Sequence, residues 1–461
     1  MDKYKILIFI NLILRLPLLF LIPIALFGDG IFRFIPYSLD LMKGNLYFEE
    51  PPLFFLLQGF WSLIFSGNLL ELFWKITPFI FFILILIILP AVFRCFKANE
   101  EERIILLILM MFSTWSILLG SSIAMEMMTL FFTLSLFVTI EKRKLFFLDF
   151  IMIIFLTSLL FYTKQTAYFL LAGFFFYVIL NKSKNKVEKF KILVSFFIGF
   201  VLFLPWLIKN KFYNIQPINP LDKMIFNPLF EFFNPEKIFT YIIQGIYENY
   251  HDFWFIPKIS QVGFEGILGL MFLAYYLIFI LVTLTLSVSI ILGIKKFGKE
   301  NKNYLILILP MVLFTFLWTF LCRWYGGNAF RYTVAINIFF FIFSAKFIDS
   351  LKNKNLKKFF YLILILFAML SVITAYFTVF KMNEKINQLE EVSKIIDESS
   401  FTYITNDAFS DHYLRYYIKD NLIIEPNKFP KDFEKVNEQK IYSSKDYELY
   451  EKEDIYYLFK K

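Results

Sequence analysis

Long apolar runs alternate with short polar connections along the chain up to about residue 380. A run of roughly 20 apolar residues can cross the ~30 Å hydrocarbon core of a bilayer as a helix. The strands of a membrane barrel would be about 10 residues long and alternate in polarity, a pattern that runs such as 79–91 and 361–380 lack. The sequence therefore predicts an all-α polytopic membrane protein with about eleven transmembrane helices. The predicted spans are residues 6–27, 76–93, 104–119, 127–140, 145–161, 166–180, 192–207, 266–294, 304–321, 332–348 and 359–380.

Lysine and arginine concentrate in every second connection between the predicted spans. These basic stretches are residues 94–103, 142–144, 182–191, 295–302 and 352–358. Short loops rich in Lys and Arg stay on the cytoplasmic side of a membrane. We therefore expect a multi-pass protein of the cytoplasmic or inner membrane, with its N-terminus in the cytoplasm and its C-terminus outside. This orientation signal accounts for the net charge of +9, so no nucleic-acid partner is expected.

The chain changes composition abruptly after the last predicted span. Overall it is 59% hydrophobic and contains 65 Phe, more apolar surface than a water-soluble domain can cover. Residues 1–380 are predicted to form a transmembrane domain with two long external loops, 28–75 and 208–265. In the first loop, Pro51-Pro52 should start an amphipathic helix that lies in the interface. Residues 381–461 are predicted to form a small extracytoplasmic α/β appendage, with helices at 383–399 and 410–418 and strands at 401–405, 422–424, 441–442 and 455–458.

Isolated charged residues lie at the predicted outer ends of several spans. Asp29 and Arg33 follow the first span, Glu126 precedes the fourth, and Lys164 and Arg331 flank later ones. Each has an ordinary alternative, such as a turn aspartate, a lysine that snorkels to the interface, or an anchoring arginine. Charges near hydrocarbon nevertheless usually pair, line a water-filled cavity or serve a site. Together they suit an enzyme that acts on a phosphate-bearing lipid, because a carboxylate can act as general base and cations can stabilise a departing phosphate.

Four segments carry a family resemblance. The first-loop sequence GDGIFRF with LMKGNLYFEEPPLFF, residues 28–34 and 41–55, resembles the first-loop signature of GT-C membrane glycosyltransferases. It is most similar to that of the dolichyl-phosphate-mannose–protein mannosyltransferases and their bacterial relatives, which include the lipid A aminoarabinose transferases. The sequences AMEMMTLFFTLSLF, YTKQTAYFLL and NAFRYTVAI resemble later motifs of the same family. The resemblance covers residues 1–348.

This resemblance implies an activity and a set of site residues. The expected reaction is the inverting transfer of a hexosyl or pentosyl group from a polyprenyl-phosphate donor to an acceptor on the extracytoplasmic side. The acceptor would be a lipid, a glycan or a protein, and membrane lipids would surround the enzyme. By position, Asp29 and Glu126 would be the catalytic carboxylates. Arg33, Lys164 and Arg331 would bind the donor phosphate.

Two positions depart from the family pattern. Gly30 stands where relatives often have an acidic residue, and Glu50 stands where the aminoarabinose branch has a lysine. The second departure argues against assigning that branch's donor. No cofactor is required if Arg and Lys alone stabilise the carrier phosphate. A divalent metal ion bound by Glu49 and His251 is the alternative that the resemblance permits.

Two other activities fit a protein of this class. A flippase or transporter of lipid-linked saccharides should show polar residues at mid-span, broken helices and related halves. A glycan ligase that uses a pyrophosphate-linked donor should show a long external loop with arginines, and residues 209–265 contain none. Both are kept as alternatives to the glycosyltransferase.

Overall fold

A computed structural model describes most of the chain as helices, with four short strands near its end. The described residues are 3–23, 26, 35–43, 51–164, 167–181, 184–213, 250, 253–255, 266–321, 334–397, 402–405, 439–445, 447–452 and 455–460. The helices are α1 Lys3–Leu21, α2 Ile35–Met42, α3 Leu53–Ser62, α4 Gly67–Cys95, α5 Glu100–Met111, α6 Thr114–Leu119, α7 Glu126–Glu141, α8 Phe147–Thr163, α9 Ala167–Leu180, α10 Lys186–Tyr213, α11 Gly266–Phe297, α12 Lys302–Leu321, α13 Val334–Asp349 and α14 Lys354–Asp397. The strands are β1 Thr402–Thr405, β2 Gln439–Ser443, β3 Tyr447–Lys452 and β4 Ile455–Lys460.

Among the described residues, five helices are long and apolar enough to cross a membrane: α1, α4, α10, α11 and α14. Shorter apolar helices stand beside them, namely α3, α8, α9 and the part Lys302–Leu313 of α12. This architecture confirms an all-α polytopic membrane protein. The number of about eleven spans stays a prediction.

Helices α7 and α13 lie at the centre of the bundle and are buried over most of their lengths. Phe137 of α7 contacts Phe339 of α13 edge to face, with ring centroids 5.0 Å apart, and Phe96 packs against both. Helices α1 and α10 instead expose large apolar side chains along one face, as expected of helices that contact lipid. The N-terminus of α7 is thereby fixed inside the protein.

Small residues allow two pairs of helices to pack closely. A Cβ at Gly173 of α9 would overlap the carbonyl oxygen of Leu307 in α12, and one at Gly293 of α11 would overlap that of Phe343 in α13. The hydroxyls of Ser289 and Ser344 also share a hydrogen bond of 2.6 Å between α11 and α13. Close backbone approach and interhelical hydrogen bonds are the usual sources of stability between helices in a bilayer.

Helix α3 begins directly after Pro51-Pro52, as predicted, with Pro52 at its N-cap. Its buried face contains Phe54, Phe55 and Gln58, while Leu56 and Phe60 are exposed. Helix α3 packs against α2, a short helix that was not predicted from the sequence.

The predicted span 104–119 is two helices rather than one. Helix α5 ends at Met111 and α6 begins at Thr114, with Ser113 as its N-cap: the Ser113 hydroxyl accepts a hydrogen bond from the Ser116 amide at 3.3 Å. A serine in the N-cap satisfies an amide that would otherwise lack a partner at the start of a helix. The break therefore has its own local cap.

The last long helix continues beyond its predicted span. Helix α14 runs without interruption from Lys354 to Asp397, so the predicted span 359–380 and the predicted helix 383–399 are one element. The sheet after it has the order β1-β4-β3-β2, with β1 parallel to β4 and the other pairs antiparallel. Strands β1, β2 and β4 lie where strands were predicted, and β3 was missed. The predicted helix 410–418 and strand 422–424 lie outside the described residues.

The C-terminal elements are tied to the helices by side-chain hydrogen bonds. Ser444, after β2, donates to Oε1 of Gln388 in α14 at 2.8 Å. The amide Nδ2 of Asn383 in α14 donates to the carbonyl oxygen of Leu21, the last residue of α1, at 2.8 Å. The sheet and the C-terminal end of α14 therefore lie at the same end of the molecule as the end of α1.

Candidate functional site

Glu126 and Lys164 form an ion pair inside the protein. The ammonium Nζ of Lys164 lies 2.7 Å from Oε1 of Glu126. Glu126 is 4% exposed and Lys164 is 6% exposed. A buried charge is tolerated only when it is paired and hydrogen-bonded, because its desolvation costs several kcal/mol. The two residues are thus the strongest candidates for chemistry among the residues that the structure describes.

The ends of a helical hairpin bring these two residues together. Glu126 is the first residue of α7, where a negative charge interacts favourably with the N-terminal end of the helix dipole. Lys164 is the C-cap of α8, where a positive charge is favoured, and its backbone is extended so that the chain can turn into α9. Helices α7 and α8 are neighbours in the chain and pack on one another, so the start of one lies beside the end of the other.

The segment 120–125 that leads into α7 is also buried. The hydroxyls of Ser121 and Ser122 are buried, and neither has a hydrogen-bond partner within the described part of the chain. Most buried polar atoms in native proteins do have a partner. The approach to Glu126 is therefore a polar stretch enclosed by apolar residues such as Ile123 and Met125.

The structure brings together the two described residues of the predicted site. Lys164 does not snorkel to an interface, because it is buried and paired, and this alternative is wrong. The other predicted site residues lie outside the described residues: Asp29, Arg33, Glu49, His251 and Arg331. Within the described ranges, no three His, Cys, Asp or Glu side chains cluster in a way that could hold a metal ion. Glu49 and His251, the residues of the metal hypothesis, lie outside these ranges.

Arg15, in the middle of α1, is a further buried charge that was not predicted as a site residue. Its guanidinium is fully buried, and Nη2 donates to the carbonyl oxygen of Met111 at 2.7 Å and to the Ser116 hydroxyl at 2.9 Å. Nε donates to Oδ1 of Asn11 at 2.8 Å, and Nη1 donates to the carbonyl oxygen of Ser116. The signal was present in the sequence, since an arginine interrupts the apolar run INLILRLPLLF near its centre.

The described helices also leave one apolar groove of about 520 Å³ between α1, α5 and α14. Leu14, Phe112 and Met369 are among its lining residues, and the lining is entirely apolar. The groove contains none of the charged candidates and is therefore separate from the Glu126–Lys164 pair.

Comparison with known proteins identifies a similar fold but no similar sequence. No family model matches the chain, and no curated protein matches it. Among solved structures, the chain is similar to ArnT from Cupriavidus metallidurans bound to undecaprenyl phosphate. The two share 11% sequence identity with a TM-score of 0.54, over 91% of this chain and 85% of the ArnT chain. ArnT is a GT-C lipid A aminoarabinose transferase. The resemblance predicted from the four motifs is therefore confirmed at the level of architecture: this chain has a GT-C-like membrane fold.

Proposed function

We propose that this protein is a membrane glycosyltransferase that moves a sugar from a polyprenyl-phosphate donor to an acceptor hydroxyl. The observation that carries the proposal is the buried Glu126–Lys164 pair, held at 2.7 Å in a GT-C-like fold. A fold similar to that of a protein bound to undecaprenyl phosphate supports a polyprenyl-linked donor. The pair also supports a negatively charged substrate, because a phosphate could replace Glu126 as the partner of the Lys164 ammonium.

The reaction requires charge to develop on phosphate. The acceptor oxygen forms a bond to the anomeric carbon of the sugar, and the bond from that carbon to the phosphate oxygen breaks. The acceptor proton passes to a carboxylate. The phosphodiester of the donor, with one negative charge, leaves as a phosphomonoester that carries one charge more. A positioned cation that stabilises this developing charge lowers the barrier.

Lys164 is the candidate for that cation. In the resting arrangement its ammonium neutralises Glu126. A donor phosphate that approached Lys164 would compete with the carboxylate for it, and a carboxylate with less of its counter-charge is a stronger base. Donor binding would then prepare Glu126 to accept a proton or to orient the acceptor. One ion pair thus supplies both kinds of group that the reaction needs.

The remaining assignments rest on the sequence. Asp29 is proposed as the principal carboxylate base, and Arg33 and Arg331 as further contacts to the donor phosphate, by their positions in the family motifs. The reaction is proposed to be inverting and to occur on the extracytoplasmic side, in line with the distribution of basic loops. A divalent metal is proposed to be dispensable, because lysine and arginine can balance the phosphate charge.

Transport of a lipid-linked saccharide is the second candidate. Two observations favour it: the break between α5 and α6, and the charged Arg15 at the middle of α1. Broken helices and charges at mid-span are typical of transporters. However, Arg15 is fully buried against backbone carbonyl groups, so it does not line an aqueous path in this conformation. Transport therefore ranks below glycosyl transfer.

The test is release of free polyprenyl phosphate by the purified protein in lipid. Donors with several sugars would be supplied with a membrane extract as the acceptor pool, and the product would be measured by mass spectrometry. Lys164→Met and Asp29→Asn should each lower turnover by about 100-fold or more, the usual effect of removing a charge-stabilising group. Lys191→Met, which removes an exposed lysine of α10, is the matched control and should retain activity.

Three negative outcomes would each refute a different part of the proposal. If wild-type protein released nothing from any donor, the glycosyltransferase proposal would be wrong, and movement of a labelled lipid-linked saccharide across vesicles would be tested next. If release were normal in Lys164→Met, the class would stand and the role of Lys164 would be lost. Normal release in Asp29→Asn would refute the assignment of Asp29 as the catalytic base, which rests on the sequence.

A further inference from the structure

Within the described part of the chain, the positive charge of Arg15 is met by backbone carbonyl oxygens rather than by a carboxylate. Its two carbonyl partners among the described residues, those of Met111 and Ser116, lie on either side of the break between α5 and α6. The carbonyl oxygen of Met111 also accepts from Nδ2 of Asn11, one turn before Arg15 on α1, at 2.9 Å. The guanidinium additionally lies over the ring of Phe82, 3.7 Å from its centroid. A single side chain of α1 therefore joins both halves of the broken helix to α4.

The chemistry of helix ends explains why this charge is stable at such depth. The last carbonyl groups of a helix have no partner within it and carry the negative end of the helix dipole. Met111 is the last residue of α5, and Ser116 belongs to the short helix α6. In a continuous helix the carbonyl oxygen of Met111 would accept from an amide of its own helix. The carbonyl oxygen of Ser116 still does so, from the Gly120 amide at 3.1 Å. The break therefore frees the Met111 carbonyl for Arg15, and the arginine in turn satisfies that carbonyl.

Gly120 makes room for the guanidinium. Its backbone angles, φ −78° and ψ −4°, suit any amino acid, so conformational freedom does not explain the glycine. A Cβ at this position would overlap Nη1 of Arg15. The glycine is therefore required by the space that the arginine occupies, and the Gly120–Arg15 contact fixes where the chain leaves α6.

We propose that Arg15 is a positioning residue that sets the course of the segment 112–125 and thereby the place of Glu126. Only five residues separate Gly120 from Glu126, and all five are buried. Extra bonds at one end of such a short enclosed segment restrict where its other end lies. An effect of Arg15 on turnover rests on the proposed function. Its effect on the course of the segment 112–125 does not.

The first test measures the segment itself. Amide hydrogen exchange of the purified full chain in lipid nanodiscs would be followed by mass spectrometry for wild type, Arg15→Met and Arg15→Lys. Arg15→Met should speed exchange in peptides covering 112–126 and leave α11 and α13 unchanged. Arg15→Lys keeps a charge that can reach a carbonyl and should fall between the two. Tyr275→Phe, which removes a partly buried hydrogen bond of 2.9 Å to the carbonyl oxygen of Leu370, is the control for general loosening of the bundle.

A second test uses the glycine. Gly120→Ala should speed exchange in the same peptides when Arg15 is present. It should add little to Arg15→Met, because the atom that the methyl group would overlap is then absent. Additive effects of the two substitutions would mean that their contact is not what holds the segment. Gly120→Ala and Arg15→Lys both keep a positive charge at position 15. Their exchange rates therefore decide the question if Arg15→Met does not fold.

Turnover measurements on the Arg15 variants test whether the position of Glu126 affects catalysis. A misplaced Glu126 should lower kcat by about 100-fold, as expected for a displacement of about 1 Å at a reacting group. The KM for the donor should change by less than about threefold, since a defect confined to the chemical step leaves uniform binding intact. Tyr275→Phe should lower stability without this kcat effect.

The outcomes separate the two proposals. Unchanged exchange at 112–126 in Arg15→Met, or exchange raised equally throughout the bundle, would overturn the role of Arg15 whatever the activity. Faster exchange confined to the segment, with normal kcat, would overturn the catalytic consequence. Absence of turnover in the wild type would refute the glycosyltransferase proposal, while the exchange data would still decide whether Arg15 holds the segment.

Discussion

Replacing Lys164 with methionine should destabilise the protein by about 3 kcal/mol, at the lower end of the range for a broken buried ion pair. Methionine keeps an apolar stem of similar length and removes the ammonium that Glu126 contacts at 2.7 Å. At that separation the attraction of two unit charges is about 6 kcal/mol for an effective dielectric constant of 20. Desolvation of the two charges offsets most of this attraction while both are present. Removing one partner leaves the other buried without its counter-charge.

The expected destabilisation is at the lower end of the range for broken buried ion pairs because the protein lies in a membrane. Interhelical hydrogen bonds within bilayers contribute only about 0.6 kcal/mol on average, since the unfolded chain also finds partners there. Replacing both residues, as Glu126→Leu with Lys164→Met, leaves no unpaired charge and should recover stability to within about 1 kcal/mol of wild type. The stabilities of the two single variants and the double variant should together give a coupling energy of at least about 2 kcal/mol between Glu126 and Lys164.

Reversible unfolding in mixed micelles with increasing denaturing detergent would measure these values. Lys142 and Asp149 provide a matched control, because they form an ion pair of 2.6 Å at the start of α8, with the lysine side chain 51% exposed. Lys142→Met should cost less than about 1 kcal/mol, as is usual for an exposed pair. The reasoning would be refuted if Lys164→Met cost no more than Lys142→Met, or if the effects of Lys164→Met and Glu126→Leu were additive.

Three further predictions concern the frame around the site. Gly173→Ala should lower stability by about 1–3 kcal/mol, because its methyl group would overlap the carbonyl oxygen of Leu307 and force α9 from α12; unfolding in detergent would detect it. Asn99→Ala should cost about 1 kcal/mol by the same measurement, since it removes the N-cap of α5. Burial raises the pKa of Asp349, but hydrogen bonds with Glu101, Asn99 and Lys357 outweigh this and hold the pKa below its ordinary value of 3.8. A lowered pKa gives stability that is present above pH 3.8 and is lost as the pH falls through the folded-state value, so the advantage of wild type over Asp349→Asn should disappear in acid thermal scans and persist at neutral pH.

The positions of many helices were predictable because hydropathy alone determines them. The span predicted at 127–140 is helix Glu126–Glu141, and that predicted at 332–348 is Val334–Asp349. Polar residues on both sides of these apolar runs fix the ends. Where charged residues continue a helix, the prediction was too short: α4 begins at Gly67 and contains Glu71 and Lys75, which the predicted span 76–93 omitted.

The break between α5 and α6 was not predictable from its own sequence. Residues 104–119 are almost uniformly apolar, and Ser113 is a weak signal in such a run. The break is held by Arg15, which is 96 residues from Met111 in the chain. A local pattern contains no information about a contact at that distance. Arg15 itself was visible as a charge within an apolar run, and its cost in hydrocarbon should have singled it out.

The Glu126–Lys164 pair lies between these two cases. Both residues were predicted at one membrane face, and antiparallel neighbours place the start of α7 beside the end of α8. The topology therefore predicted their proximity, but their direct contact required the side-chain packing of the structure. From the sequence, Glu126 was predicted as the second carboxylate and Lys164 as a phosphate contact, and their direct pairing was not predicted.

Arg15 and Lys164, two of the buried cations among the described residues, are neutralised in different ways, and the difference bears on function. The charge of Arg15 is met by carbonyl groups of helix ends, which cannot move without unfolding the break. The charge of Lys164 is met by a side-chain carboxylate, which can rotate away at the cost of its own desolvation. Only the second arrangement can exchange a protein partner for a substrate anion. A structural charge and an exchangeable charge are therefore distinguishable from their partners, and this distinction assigns the chemistry to Lys164 and Glu126 and the positioning to Arg15.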